Sequence, residues 1–348
     1  APDGGPGPTP LEDGGLPPPP PPPDGGVPPP PDAGPLPPLG PPAIYALSSE
    51  ILTEGATLRI EGSFDGQTIV HFPDGTNAVP SQLGRARLSV TVPEGAGAGV
   101  LEVTTGAVAE RVGGLPFRAV RAPIELAPPS ASVQQNQVAA QTRPLAAATS
   151  GAVAFGGERT FCLAGGDDGA LRSEVSCQTV ARADEALSAG TPRAPLEGAR
   201  ADAAITRLGG GLLVIGGRDA AGDSSVVEHV AVGADGEPGA HTILTSALTT
   251  GRAGATAHVI GRNLFVVGGE AGGVRLDTVE RAVLDKDGVP GPFAVVAQLT
   301  AARAHHASAV LGDQLFIVGG AGDALELSSI EVATLDTDGE LGAFADAG

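Results

Sequence analysis

Leu264-Phe265-Val266-Val267-Gly268-Gly269 decides the fold, because the chain writes this pattern four times. Its counterparts are Phe161-Cys162-Leu163-Ala164-Gly165-Gly166, Leu212-Leu213-Val214-Ile215-Gly216-Gly217 and Leu315-Phe316-Ile317-Val318-Gly319-Gly320, at spacings of 51, 52 and 51 residues. Each is a short apolar strand stopped by two residues that lack a Cβ and so turn easily at positive φ. Eighteen residues past each second glycine lies an acidic turn: Asp184-Glu185, Asp235-Gly236, Asp287-Gly288 and Asp338-Gly339. A fixed period built only of strands and turns predicts an all-β array of like units, each completing its core against the next. The expected repeats are about 143–198, 199–251, 252–302 and 303–348.

Outside the repeat, composition narrows the function classes. The 348 residues include 53 Gly and 33 Pro, no Trp, no Met and one Tyr, and carry a net charge of −20. That balance argues against nucleic acid and anionic membrane surfaces, which both require local positive charge. No apolar run is long enough to span a bilayer. Two cysteines allow one intramolecular disulfide.

Residues 1–42 hold 20 of the 33 prolines, five acidic residues and no basic one. Such a stretch has little to bury, and its proline runs favour extended polyproline II, so a semi-rigid stalk is expected. The competing role is a ligand for a proline-recognising domain, against which the absence of a flanking basic anchor counts. From 43 to 120 the texture becomes short alternating runs, as in Leu58-Arg59-Ile60-Glu61 and Leu88-Ser89-Val90-Thr91-Val92, separated by turns such as Pro73-Asp74-Gly75. This predicts a small β-sandwich. A second connector, 121–142, contains Pro128-Pro129 and a Gln-rich polar run.

Two family resemblances attach to these segments. Gly55-x-x-Leu58-x-Ile60-x-Gly62-x-Phe64, Val90-x-Val92-Pro93, Gly99-x-x-x-Val103 and Pro116-Phe117 resemble the IPT/TIG domain, an immunoglobulin-like module. The resemblance implies a spacer or adhesive unit in envelope proteins; the DNA-binding version would need more basic loops than Arg85 and Arg87 supply. Residues 143–348 resemble kelch repeats, which implies four-stranded blades of a β-propeller. The aromatic residues that usually follow the kelch glycine pair are absent, and repeat one lacks the Asp-Gly turn. Four repeats are few for a closed ring. The next arginine of the register would fall at position 354, so the ring is expected to be part of a larger one or to be completed by partner strands.

The aligned repeats single out charged residues. Seventeen positions before the second glycine stand Arg200, Arg252 and Arg303; eleven positions after it stand Glu228, Glu280 and Glu331. Repeat one has Thr149 and Cys177 there, so both charges vanish together. Structural Arg–Glu pairs are the expectation, and an arginine ring for an anionic ligand is the alternative. Cys162 and Cys177 flank a turn, where adjacent antiparallel strands would bring them together. A cross-strand disulfide and two buried thiols are the alternatives, the disulfide pointing to an oxidising compartment. His305-His306 cannot readily share a metal, since strand neighbours point to opposite faces. Asp285-Lys286-Asp287-Gly288 and Asp336-Thr337-Asp338-Gly339 read as hairpin turns rather than calcium loops.

No nucleophile–base motif, phosphate loop or dinucleotide fingerprint is present. A copper–radical centre of the galactose-oxidase kind would need tyrosines, and Tyr45 lies outside the repeats. The expectation is a non-enzymatic, secreted or cell-envelope protein with no cofactor and no bound metal, presenting the propeller to a protein or surface ligand. The alternatives are a mutarotase-like enzyme acting on a small sugar, and a surface protein held by a lipid anchor upstream of Ala1.

Overall fold

A computed structural model describes residues 42–49, 51–64, 66–105, 111–120, 153–156, 160–179, 191–209, 211–233 and 238–348. The stalk up to residue 41, the connector 121–142, Thr149 and the turns Asp184-Glu185 and Asp235-Gly236 lie outside the described residues. Every regular element among the described residues is a β-strand.

Residues 43–120 make two sheets. One runs Ala43–Leu47, Thr57–Ser63, Arg87–Thr91, Gln82–Leu83; the other runs Ile51–Thr53, Val112–Val120, Ala98–Thr105, Thr68–His71, Asn77–Ala78. All pairings are antiparallel except Ile51–Thr53 beside Arg118–Val120. The alternation Leu58/Ile60, Leu88/Val90 and Leu101/Val103 sends one side of each strand inward, and these residues share one core with Val70, Phe72 and Phe117. Phe72 and Phe117 meet edge to face with centroids 5.5 Å apart.

The repeats form four four-stranded antiparallel sheets, each with its strands in chain order. The first comprises Val153–Gly156, Thr160–Ala164, Val175–Thr179 and Thr191–Arg193; the second Ala204–Leu208, Gly211–Ile215, Val227–Val232 and Pro238–Ile243. The third comprises Thr256–Ile260, Asn263–Val267, Thr278–Val283 and Ala294–Gln298; the fourth Ala307–Leu311, Gln314–Val318, Ile330–Thr334 and Ala345–Asp346. The glycine-ending strand is always second. Its residues alternate between neighbouring sheets: Leu212 and Val214 join the core shared with sheet one, Leu213 and Ile215 the core shared with sheet three. In the same way Leu264 and Val266 pack on sheet two, Phe265 and Val267 on sheet four. A strand covered on both faces reads as a continuous apolar run rather than an alternating one, which explains the sequence pattern.

A backbone clasp joins successive sheets. Between sheets two and three, Leu248 N–H donates to Ser225 O (3.0 Å), Arg252 N–H to Ser224 O (3.0 Å) and Gly217 N–H to Arg252 O (2.8 Å). The same three bonds recur with Leu196, Arg200 and Gly166, and with Leu299, Arg303 and Gly269. The glycine pair is required by this geometry. Gly216 has φ 64°, and a Cβ there would stand 2.4 Å from Arg252 O.

The sandwich sits against one end of this array and touches the same turn in three consecutive repeats. Gly209, Gly261 and Gly312 occupy the turns between first and second strands, with φ of 57–60°. Gly209 N–H donates to Tyr45 O (2.6 Å), Gly261 N–H to Glu61 Oε2 (2.6 Å), and Arg59 Nη1 to Gly312 O (2.5 Å). Tyr45 also donates its hydroxyl to Asp285 O (2.9 Å) and joins the core between sheets two and three. Arg87 pairs with the buried Glu61 at 3.1 Å and reaches Asp336 O. Beside Tyr45 the seam leaves a cavity of about 450 Å³ bordered by Ile44, Leu208, Leu213, His229 and Lys286.

Candidate functional site

The repeated charges were the first candidates for chemistry, and the structure turns all of them inward. Arg252 and Glu280 are no more than 1% exposed. Arg252 Nη2 donates to Glu280 Oε1, while Nη1 donates to Gly268 O (2.9 Å) and Thr278 O (3.2 Å), and Nε to Thr250 O (3.3 Å). Glu280 accepts the amides of Thr249 (2.7 Å) and Thr250 (3.1 Å) as well. The guanidinium thus ties the glycine turn to the third strand, and the carboxylate caps the segment that leads into the sheet. Arg303 repeats this with Gly319 O, Ser329 and Glu331, and Glu331 takes the amides of Thr300 and Ala301. Arg200 pairs with Glu228, which accepts Glu197 N–H at 3.0 Å and lies 2.8 Å from His241 Nδ1. Burial pulls Arg200 and Arg252 below the ordinary arginine range, and the glutamates oppose it. Every nitrogen of Arg252 and Arg303 has a protein partner, so neither side chain is presented to a solute.

Cys162 and Cys177 are directly opposed on adjacent strands and joined by a disulfide. Position counting put Cys177 in the glutamate place; the ladder corrects this. The first repeat is one residue shorter after its glycines: Arg172 N–H closes on Gly166 O, six residues back, where Ser224 closes on Gly217 across seven. Cys177 therefore takes the place of His229 and Arg281, opposite Leu213 and Phe265, and Ser176 takes that of Glu228 and Glu280. The bridge lies within the core shared with sheet two.

The histidines disperse. His71 bridges Asn77 and Thr104 in the sandwich, and His229 borders the seam cavity, where burial lowers its pKa. His258 Nε2 lies 2.6 Å from Ser308 Oγ and His306 Nε2 lies 3.0 Å from Thr256 Oγ1, both between sheets three and four. Among the described residues no group of three His, Cys, Asp or Glu is placed to hold a metal. The acidic loops are hairpin turns: Asp285 Oδ1 accepts Asp287 and Val289 N–H, and Asp336 Oδ1 accepts Asp338 and Glu340 N–H.

Burial holds both His258 and His306 at about 4, against an ordinary 6.5; for His306, Arg303, His258 and His305 act in the same direction. Each is neutral in the fold but protonated in the unfolded chain below pH 6.5. Their contribution is therefore complete above that pH and is lost as pH falls towards 4, at about 1.4 kcal/mol per pH unit for each histidine. Urea unfolding at pH 7, 6 and 5 should show this slope, and His258→Gln with His306→Gln should flatten it.

Among the described residues, the glycine end of the array, opposite the sandwich seam, presents polar groups at its surface. Here the chain before each first strand forms an inner rim: Gly254 N–H donates to Asp202 O (2.8 Å) and His305 N–H to Gly254 O (2.7 Å). The three equivalent residues, Asp202, Gly254 and His305, all have positive φ, 57° and 54° at the two that carry side chains. That conformation is uncommon outside glycine. Short hairpins rise beside the rim, Arg218–Asp219 with Gly222–Asp223 and Glu270–Ala271 with Val274–Arg275. Arg218 pairs with Asp202 (2.8 Å) and approaches Glu270 (3.7 Å) while staying 43% exposed. Sequence reading missed this surface because its residues differ from repeat to repeat. The shared signal is the glycine at 254, which marks the backbone conformation and not the chemistry.

With this geometry in hand, comparison with known proteins is specific in one place. The kelch motif matches residues 251–281, from the residue before Arg252 through most of the third sheet's third strand. The kelch motif is thus present in repeat three, and the other sheets carry its register at 51–52 residues. No curated protein matches the chain. Among solved structures, one titled "Structure of YjhT" aligns with a TM-score of 0.45 and 14% identity, over 57% of this chain and 65% of that one. The chain thus spans a little under two thirds of that structure's length.

Proposed function

We propose that this is a non-enzymatic modular protein, secreted or held in a cell envelope, that presents kelch-type blades to a protein or surface ligand. In this reading the four sheets are blades of a ring, residues 43–120 are an immunoglobulin-like module of the IPT/TIG kind, and the Pro-rich segment is a stalk that carries both away from an attachment point. A lipid anchor upstream of Ala1 suits a stalk of this composition. The observation that carries the reading is the closure of the repeated charges on one another: Arg252 with Glu280 and Arg303 with Glu331 are buried pairs. An enzyme handling a small sugar would need such groups converging on open space, with their protonation tuned for transfer.

With the repeat charges buried, the surface we assign to recognition is the inner rim and hairpins around Asp202, Arg218, Glu270 and His305. Its composition suits polar recognition of a protein surface. Placing acidic groups there, Arg218→Glu with His305→Glu, should abolish capture of partners from envelope extracts, whereas substitution of the exposed Val79 on the sandwich should not. Proton NMR of freshly dissolved reducing sugars tests the competing enzyme. Anomer exchange is expected at the uncatalysed rate, and an acceleration that Arg218→Glu removes would replace binding with catalysis.

A further inference from the structure

The seam cavity beside Tyr45 lies between sheets two and three, where the hairpin turn 285–290 faces the second and third strands of sheet two. The equivalent place between sheets three and four is filled. There Asn263 Nδ2 donates to Gly339 O and to Glu340 Oε1 (both 3.1 Å), and Arg281 Nη1 donates to Glu340 Oε2 (2.6 Å). These bonds bridge two strands of one sheet to the hairpin turn of the next. Through the aligned ladders and turns, Asn263 corresponds to Gly211, Arg281 to His229, Val283 to Ala231 and Glu340 to Val289. Gly211, His229, Ala231 and Val289 all border the cavity. Each side chain of the bridge is thus exchanged for a smaller one, and the space that the bridge fills in one interface stands open in the other.

The exchanges fit one another. A Cβ at position 211 would stand 2.4 Å from His229 Nε2, so the glycine clears the imidazole. Among the described residues neither ring nitrogen of His229 has a hydrogen-bond partner. Burial lowers its pKa, so at pH 7 the ring is neutral, with one nitrogen to donate and one to accept. The other polar groups of the lining are committed. Lys286 Nζ closes on both carboxylate oxygens of Asp287 (2.7 and 2.6 Å). Asp285 holds the amides of Asp287, Gly288 and Val289, and its carbonyl accepts the Tyr45 hydroxyl. Ile44, Tyr45, Leu208 and Leu213 form an apolar floor, none of them more than 8% exposed, while the exposed Lys286, Asp287 and Val289 stand at the mouth. The cavity of about 450 Å³ falls within the range of small-molecule sites, about 300–1,000 Å³, and lies at a junction of domains, where such sites are common.

We propose that this cavity binds a small neutral molecule, an apolar body carrying one hydroxyl or carbonyl group, with the body on the floor and the polar group on His229. Charge complementarity selects the neutral class. An anion would find the lining cation, Lys286, already closed on Asp287, and a cation would have to displace Lys286 from that carboxylate. The bridge that would have brought an arginine and a glutamate into this space is the one that the four exchanges remove. The site lies at the opposite end of the array from the rim around Arg218 and stands or falls separately from the function proposed there.

Titration of the full chain at pH 7 with β-naphthol and with naphthalene tests this. Both probes are neutral and bicyclic, and only the first carries a hydroxyl. Tyr45 is the one tyrosine of a chain without tryptophan, so its emission reads occupancy of this cavity. Both probes should quench it saturably, after correction for their own absorption, and β-naphthol should bind about 5–10-fold more tightly through its added hydrogen bond. His229→Phe keeps a ring in place without its nitrogens. It should lower β-naphthol to the affinity of naphthalene and leave naphthalene within about two-fold of its original value. Ala231→Leu fills the cavity and should weaken both probes by about 10-fold or more, with circular dichroism unchanged. Should Ala231→Leu fail to fold, His229→Phe decides alone. No binding up to the solubility of both probes, quenching that does not saturate, equal affinity for the two probes, or β-naphthol binding indifferent to His229→Phe would each overturn the site.

Discussion

Replacing Arg252 with Ala is expected to destabilise the repeat array by about 3–5 kcal/mol, the cost of leaving one member of a buried ion pair without the other. The reasoning follows from what Arg252 touches. Glu280 is fully buried, and without the guanidinium its remaining partners are the amides of Thr249 and Thr250. Gly268 O would lose the guanidinium as donor at the same time, and Thr278 O would keep only the Gly268 amide. Equilibrium urea unfolding at pH 7 reads the effect directly, and Arg303→Ala should match it, since Arg303 and Glu331 are buried in the same way. If the arginines instead formed a ring for an anionic ligand, the substitution would leave stability nearly unchanged and remove binding. An exposed control such as Arg111→Ala, whose Glu102 partner is also on the surface, should cost within about 0.5 kcal/mol.

A second large loss is expected for Gly216→Val, by a different route. The φ of 64° is unfavourable for any residue with a Cβ and more so for a β-branched one, at about 1–2 kcal/mol. The added Cβ would also stand 2.4 Å from Arg252 O, a backbone atom that cannot swing aside. Relieving that contact means parting the clasp bond between Gly217 N–H and Arg252 O, and with it the alignment of sheets two and three. A total loss of roughly 3 kcal/mol or more follows from these contributions together. Hydrogen exchange should show it first at Leu248 and Arg252, whose amides close the other two clasp bonds. Gly222→Ala is the control, because a Cβ there meets nothing within 4 Å although its φ is also positive.

Much of this architecture can be read from the chain because it is periodic. Strand, glycine pair and acidic turn recur at a constant interval, so the all-β class and the register of the sheets follow from local chemistry seen four times. Periodicity fails where a contact occurs once. Tyr45, Glu61 and Arg87 look like ordinary sandwich residues in sequence, yet they hold the sandwich to turns that lie 240, 200 and 249 residues away. No local pattern encodes such a pairing. What the chain does show is a glycine at 209, 261 and 312, and the sandwich touches those turns as well as the later turns at Asp285 and Asp336. The one-residue deletion in repeat one is a subtler case. Counting from the glycines misplaces Cys177 by one position, and only the hydrogen-bonded ladder reveals that it stands opposite Cys162. The inner rim was hidden for the opposite reason: Asp202, Gly254 and His305 share a backbone conformation and no chemistry.

The account turns on whether the repeated charges hold the scaffold together, and a double-mutant cycle on Arg252 and Glu280 asks that most directly. Arg252→Met, Glu280→Gln and the double variant would be compared by urea unfolding. The structure predicts a coupling energy of about 2 kcal/mol or more, as expected for buried groups in direct contact. Additive effects within about 0.5 kcal/mol would contradict it, because they would mean that the two charges act independently and face something other than each other.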